Sequence, residues 1–555
     1  MKALIAVSGL ACGLVFAAAV QARPPVASIR ADDIAHDIKV LASDKFGGRA
    51  PASEGEKLSI DFIRDNFRKA GLKPAVNGSY FQTVPLVEVT ADPHSTLTIG
   101  SAQKPLSFAY ADDMIVWTKR ESKHVDLDKS PLVFVGYGIV APEYHWNDYA
   151  GIDVKGKTVV ILVNDPGYAT GNKKLFHGKS MTYYGRWTYK YEEAARQGAA
   201  GALIVHETGP AGYPWKVVTG SWSGSQFMLP PEKGSYRPAV EGWVTHQAAE
   251  KIFAAAGMNL AQMEKAAATR GFKARPMHLT ASVAFDNTIK HVESHNVIGM
   301  IPGRTHPDQA IVYSAHWDHL GTKPNPSGDD IYNGARDDAS GIAGLLQLAR
   351  AFGETNPTPE RSVIFLATTS EEQGLLGALY YTEHPVVPLA TTVADINMDI
   401  MNVYGPTHDI TVIGYGSSEL EDYLRRDAKK VGRVLRPDPQ PEKGFYYRAD
   451  HFEFARHGVP ALFTEAGIDY IGRGKAWGLA KENDYTAHHY HKPSDEFNPK
   501  WDFTGEVADL KLLYNVGAAL ANSDAWPDWY PGNEFKARRD ASASQRQKSD
   551  ASPED

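Results

Sequence analysis

The sequence predicts an α/β fold: a mixed, mainly parallel sheet sandwiched by helices, with a second, β-rich unit inserted. Three observations carry this. From Val292 onward, short apolar runs alternate regularly with helix-period segments, the pattern of a parallel sheet whose crossover helices cover both faces. Runs such as Ile311-Val312-Tyr313-Ser314-Ala315 and Val363-Ile364-Phe365-Leu366-Ala367 are almost continuously apolar, as expected for strands buried on both faces. Residues 131–280 interrupt this alternation with strands, turns and helices of their own.

In chain order, residues 1–22 read as a signal peptide. Lys2 supplies the positive n-region, Ala3 to Ala19 the apolar h-region, and Val20-Gln21-Ala22 the small-residue cleavage site. The chain is therefore expected to be exported, periplasmic or secreted. The single cysteine, Cys12, falls inside this segment. The mature chain would have no disulfide, and a metal site would have to use His, Asp and Glu. No later stretch is apolar over the ~20 residues that a bilayer span needs.

Residues 29–72 hold two amphipathic helix patterns, one with Ile34, Ile38, Val40 and Leu41 on a face, the other with Leu58, Ile60, Phe62, Ile63 and Phe67 and a stop at Gly71. Residues 80–125 alternate apolar and polar, as strands and hairpins do. Residues 23–130 are assigned to the first part of the main domain and 131–280 to the insertion. The main domain resumes over 281–531, with strands expected at 296–301, 310–316, 361–369, 391–397, 409–413 and 460–464. Its helices are expected at 340–353, 374–383, 417–431, 450–457 and 504–522. The segment from Gly467 to Ala487 reads as a loop forming one wall of a pocket, and the Ser/Ala/Asp/Lys/Arg-rich segment 532–555 as a disordered tail. The chain is 43% hydrophobic and 22% charged, with a net charge of -8. That balance is ordinary for a globular protein and provides no general field for nucleic acid.

Chemistry-bearing residues gather where strands end. His316 and Asp318 close one strand, Glu371 and Glu372 follow another, Asp399 follows a third, and Asp337-Asp338 stand before a helix pattern. If the strands are parallel, these ends share one edge of the sheet, where α/β folds place their ligands. One acid at a strand end usually caps the next helix. Several together would repel and raise each other's pKa, a conflict that a divalent cation relieves, and histidine among the donors favours zinc. A catalytic zinc takes three protein ligands, so two ions need about six ligand bonds, reduced to five residues by one shared carboxylate. A second histidine is then required, and His488, His489 and His491 are all available.

The motifs Ala315-His316-Trp317-Asp318-His319-Leu320-Gly321, Asn333-Gly334-Ala335-Arg336-Asp337-Asp338-Ala339-Ser340-Gly341, Thr369-Ser370-Glu371-Glu372-Gln373-Gly374, Asn397-Met398-Asp399 and Tyr490-His491-Lys492-Pro493-Ser494-Asp495 resemble, in order, those of the M28 zinc aminopeptidases. The text around Gly48-Arg49-Ala50-Pro51 resembles the start of such proteins, and 131–280 resembles the protease-associated (PA) domain that some of them carry. The resemblance implies two zinc ions per chain. His316 and Asp399 would bind one, Glu372 and His491 the other, and Asp337 would bridge them. It implies Glu371 as general base, Asp318 orienting His316, Tyr490 as an oxyanion or substrate contact, and a cis peptide at Asp337–Asp338. His319 and His451 read as structural or outer groups. The substrates would be peptides cut at the N-terminus. A dipeptidase or carboxypeptidase on the same centre is the alternative. A glutaminyl cyclase-like acyltransferase, with one zinc, and a receptor-like binding protein are disfavoured by the complete ligand set. Side-chain preference, native metal and oligomeric state are not encoded in these motifs.

Overall fold

The computed structural model describes residues 25–101, 104–231, 234–323 and 328–550. The expected signal peptide, with Cys12, lies outside the described residues. Among the described residues no helix is long and apolar enough to cross a membrane.

The main sheet is built around the strand His306–His316. It runs parallel to Arg361–Thr368 on one side and to Thr392–Asn397 on the other. Ala461–Ala466 continues the parallel order beyond Thr392–Asn397. Asp409–Ile413, antiparallel to it, and Val434–Pro437 close that edge. On the opposite side Arg361–Thr368 meets the end of a long strand, Arg275–Ile301, which pairs antiparallel with Phe81–Ala91. The sheet is therefore parallel at its centre and antiparallel at its margins.

The continuous apolar runs follow from burial on both faces. Along His306–His316, Ile311, Tyr313 and Ala315 enter one core while Ala310 and Val312 enter the other, as the two-residue period of a strand requires. On the first face Tyr313 stacks on Phe365 with ring centroids 5.6 Å apart. The helix Ala339–Gly353 is buried along almost its whole length, because it packs between the sheet and the helices Ala31–Leu41 and Thr504–Ala521.

The long strand also enters a second sheet. Its first part, Arg275–Asp286, pairs with His124–Phe134 and with Thr96–Ser101. Beyond His124–Phe134 lie Thr158–Leu162, Gly201–His206 and Val240–Thr245 in parallel, and then Met114–Trp117. This sheet has apolar cores of its own on each face. It takes in strands from Thr96 onward, upstream of the expected division at 131. One segment of the second unit, Ser225–Met228, instead pairs with Phe81–Ala91 on the main sheet.

Two expectations differ from the structure. The pocket-wall loop contains a helix, Lys475–His488. Glycines discouraged a helix there, but Gly478 serves close packing: a Cβ at that position would lie 2.2 Å from the carbonyl oxygen of Ile468. The segment expected to be a disordered tail begins with the helices Lys536–Ala541 and Ala543–Asp550. Arg539 is buried and donates to the carbonyls of Thr392 at 3.0 Å and Pro527 at 3.2 Å, contacts that polar composition conceals.

Candidate metal centre

Parallel register brings the predicted residues together. His316 ends the central strand, opposite Thr368, and Ser314 lies opposite Asn397. Glu371 and Glu372 thus emerge on one side of His316 and Asp399 on the other. Asp337 arrives on the turn before the helix Ala339–Gly353. The neighbouring Asp338 caps that helix, accepting from the amides of Gly341 at 2.8 Å and Ile400 at 3.1 Å. One carboxylate therefore ties the Asp337 turn to the Asp399 turn. The Asp337–Asp338 peptide is cis, as the resemblance implied. Ser370, Ile400 and His491 have positive φ angles of 55°, 54° and 56°. Such conformations cost about 1–3 kcal/mol each and persist where the surroundings dictate them.

The side chains form two clusters that share Asp337. In the first, His316 Nε2 lies 3.4 Å from Asp337 Oδ1 and 3.7 Å from Asp399 Oδ1. In the second, His491 Nε2 lies 3.3 Å from Asp337 Oδ2 and 3.0 Å from Glu372 Oε2. His319 joins it, with Nδ1 2.6 Å from Glu372 Oε1. The sets His316–Asp337–Asp399 and His319–Asp337–Glu372 each bring three donor atoms within 4.8 Å of one another. Glu371 stands beside the first cluster, with Oε2 3.9 Å from His316 Nε2.

Asp318 lies against His316 Nδ1. Its main-chain carbonyl, not its carboxylate, makes the hydrogen bond to His316 Nδ1, at 3.1 Å. The carboxylate is 3.7 Å from that nitrogen and accepts the amide of Glu371 at 3.0 Å. The residue sets which ring nitrogen of His316 faces the acids, and it also positions the turn that carries Glu371.

The donor set fits a cation. Asp337 Oδ2, Glu372 Oε1 and Asp399 Oδ1 are buried and face only imidazole nitrogens, at 3.3, 2.6 and 3.7 Å, and carboxylates crowded in this way are costly unless a cation joins them. Burial, with the nearby charges of Glu372 and Asp399, pushes the Glu371 carboxyl well above the usual range. Burial likewise raises Asp399. For Asp337 burial is outweighed by His316 and His491, which hold it well below the usual range. Imidazoles mixed with carboxylates suit zinc better than magnesium or calcium.

Three supporting residues were not assigned from sequence. Arg49 is fully buried, and its guanidinium donates to the carbonyls of Trp317 at 2.8 Å, Asn333 at 2.6 Å and Gly334 at 2.8 Å. It clamps the His316 loop to the Asp337 loop. Gly48, at φ 67°, lets this turn approach, since a Cβ there would sit 2.4 Å from the carbonyl oxygen of Gly321. Asp495, the last residue of the His491 motif, accepts the amides of Arg336 and Asp337 at 3.1 Å. Arg336 in turn donates to Glu482 at 2.9 Å. The Gly-Gly-Arg turn and the motif aspartate were visible in the sequence, but no local pattern reveals what they hold.

The centre opens into a cavity of about 860 Å³ between the main sheet and the second unit. Glu371, Glu372, Tyr490 and His491 line its floor, and Arg186, Trp187 and Trp222 its roof. Tyr490 stacks on His491 with ring centroids 3.9 Å apart. Ser221 of the second unit places its Oγ 3.4 Å from His491 Nδ1. His451 is buried and in contact with Tyr446 and Phe463.

Acids and imidazoles thus converge on the ends of parallel strands, where α/β folds place their ligands. Residues 296–514 match the model of Peptidase family M28. Among solved structures, the aminopeptidase from Aneurinibacillus sp. strain AM-1 is similar with a TM-score of 0.52 at 20% identity, over 90% of this chain and 94% of that one. At that identity the likeness is one of fold. Among curated proteins, mouse (Mus musculus) "Aminopeptidase NAALADL1" is 34% identical over 130 residues, 22% of this chain and 16% of the relative. The "Probable glutamate carboxypeptidase" of Arthroderma benhamiae is 28% identical over 256 residues, 42% of this chain and 31% of the relative. The matched stretches span well under two thirds of these relatives' own lengths.

Proposed function

We propose that the chain is a zinc-dependent exopeptidase that removes N-terminal residues from peptides, with two zinc ions held by His316, Asp337 and Asp399 and by Asp337, Glu372 and His491. The observation that carries this reading is the pair of clusters sharing Asp337, with Glu371 beside them and in neither donor set. When bound, two zinc ions would supply an acidified water and polarise the scissile carbonyl. Glu371, outside both donor sets, would serve as the general base, holding and passing on a proton at its free carboxylate oxygen. Glu372 is adjacent but turned toward His491 and His319, so the two glutamates divide the roles of base and ligand. Asp318 holds the Glu371 amide and, through its carbonyl, His316 Nδ1. Tyr490 is kept protonated by burial, and Arg448 donates to its hydroxyl at 3.0 Å. It is suited to donate to an oxyanion.

The names of the Aneurinibacillus and mouse proteins support attack at the amino end. The Arthroderma relative favours a second reading, a carboxypeptidase or dipeptidase on the same centre, since the cleft sets end preference. The second unit, on this reading, is a protease-associated domain that roofs the cleft, and export follows from the signal peptide at 1–22.

Two measurements test the proposal. Glu371→Ala is expected to keep its zinc and lose about 10²–10⁴-fold in kcat. Loss of zinc, or near-normal turnover, would overturn the base assignment. N-blocked peptides are expected to resist the zinc-loaded enzyme. Their cleavage at the rate of free peptides would rule out the aminopeptidase reading.

A further inference from the structure

The cations around the cleft are unequally provided for. Arg196 pairs with Glu193 at 2.7 Å, Arg456 with Glu453 at 3.0 Å, and Lys119 faces Glu241 at 3.8 Å. Arg237 donates to the carbonyl of Lys119 at 2.8 Å. Two arginines lack such a partner. Arg186, on the second unit, is 7% exposed, and its Nε has no hydrogen-bond partner. Among the described residues it makes no ion pair. Arg448, on the main domain, is held by the Tyr490 hydroxyl and packs against the rings of Tyr213 and Phe445. It too makes no ion pair among the described residues. Both line the cavity that holds Glu371, Glu372 and His491.

Burial and the charge of Arg448 pull the Arg186 guanidinium down to about 10. Neighbouring buried cations repel, and each asks for an anion. A guanidinium presents a planar fork of donors that matches a carboxylate. Tyr490, which anchors Arg448, also stacks on His491, so an anion held by Arg448 would lie one side chain away from the metal centre.

We infer that Arg186 and Arg448 form a subsite, shared between the two units, that binds a carboxylate of the peptide substrate. The substrate class is then short or acidic peptides: the carboxylate is either the free C-terminus of a dipeptide or an acidic side chain. The inference rests on the peptidase reading of the centre and adds that the second unit takes part in selecting substrate.

The test compares isosteric pairs on the zinc-loaded enzyme. Leucylglycine against leucylglycinamide reads a terminal carboxylate. Leu-Glu amide against Leu-Gln amide reads an acid on the second residue, and Glu-Gly amide against Gln-Gly amide an acid on the first. One carboxylate member is expected to be preferred about tenfold or more in kcat/KM, mostly through KM, as charge-assisted hydrogen bonds imply. Arg186→Gln should bring that ratio toward one, and Arg186→Lys should restore part of it. Arg448→Gln gives an independent second variant should Arg186→Gln fail to fold. Ratios within twofold in all three pairs, or a preference that survives both glutamine variants, would overturn the subsite. Calorimetric binding of the same pairs to the Glu371→Ala protein reads the subsite without turnover. An enzyme that cleaves nothing therefore counts against the peptidase reading, while the binding ratio still decides the subsite.

Discussion

On the helix Trp187–Arg196 of the second unit, Lys190 is fully buried, and its ammonium donates to the carbonyls of Tyr137, Asn164 and Tyr184 at 2.6, 2.9 and 2.6 Å. All three donors of a lysine are used. Asp165 nearby accepts from Gly167 N at 2.9 Å and from Thr182 N and Oγ1 at 3.1 and 2.8 Å. Asp148 accepts from Ile139 N at 3.0 Å and Trp146 Nε1 at 2.8 Å. At the end of the main sheet, acids are equally buried, yet the oxygens of Asp337, Glu372 and Asp399 that face the centre meet only imidazoles and one another. Burial of charge therefore does not by itself mark a site. The first network is closed and holds loops together, whereas the second gathers carboxylates and imidazoles into a donor set that suits a cation. The same comparison singled out Arg186 and Arg448 among the cations of the cleft.

The contrast can be broken at its closed end. Lys190→Met leaves three carbonyls without a donor, at about 1–3 kcal/mol each. Urea unfolding should show a loss of about 3 kcal/mol or more, with zinc per folded molecule unchanged. Zinc falling in step with stability would mean that the two regions are not separable.

At the open end, the two histidines on Glu372 can be ranked. His491→Ala should drop zinc content after dialysis from two per chain toward one, read by atomic absorption. His319→Ala should keep two, with affinity weakened about 10–100-fold, as for an outer partner of a ligand. The reverse pattern would make His319 the ligand and His491 its support.

The smallest effect concerns pH. Burial pushes the Asp148 carboxyl from 3.8 up to about 7. The folded state then binds the proton more tightly than the unfolded state, so stability from this group is present below about pH 4 and is lost as pH rises toward 7. Lys190, pulled down by burial to about 7, acts in the opposite sense only above that value. Asp148→Asn should flatten the decline in stability between pH 4 and 7. An unchanged slope would assign it to other groups.

Much of the main domain could be read directly. The strand His306–His316 and the helix Ala339–Gly353 were legible because burial on both faces writes continuous apolar runs, and Gly71 marked the end of a helix as expected. Less could be read where the signal was weak. The helix Lys475–His488 was hidden by glycines that serve packing, and the helix Lys536–Ala541 by a polar composition whose few buried members, such as Arg539, carry the contacts. At the site, His316, Glu371, Glu372 and Asp399 stood out as chemical types at strand ends and Asp337 before a helix, while His491 was singled out from its neighbours only by the motif it shares with the family. His319 did not, because a histidine three residues from another carries no local mark of which acid it will face.

By itself the sequence determined the alternation of strands and helices, the family motifs and the kinds of donor available. These are encoded between near neighbours, through periodicity, capping and residue chemistry. Only the tertiary structure decided that Arg49 clamps two loops nearly three hundred positions away, that Asp318 acts through its carbonyl, and that Arg186 of one unit faces the same cleft as Arg448 of the other. Such meetings depend on strand order and on the docking of two sheets through one shared strand, which no single stretch of sequence specifies.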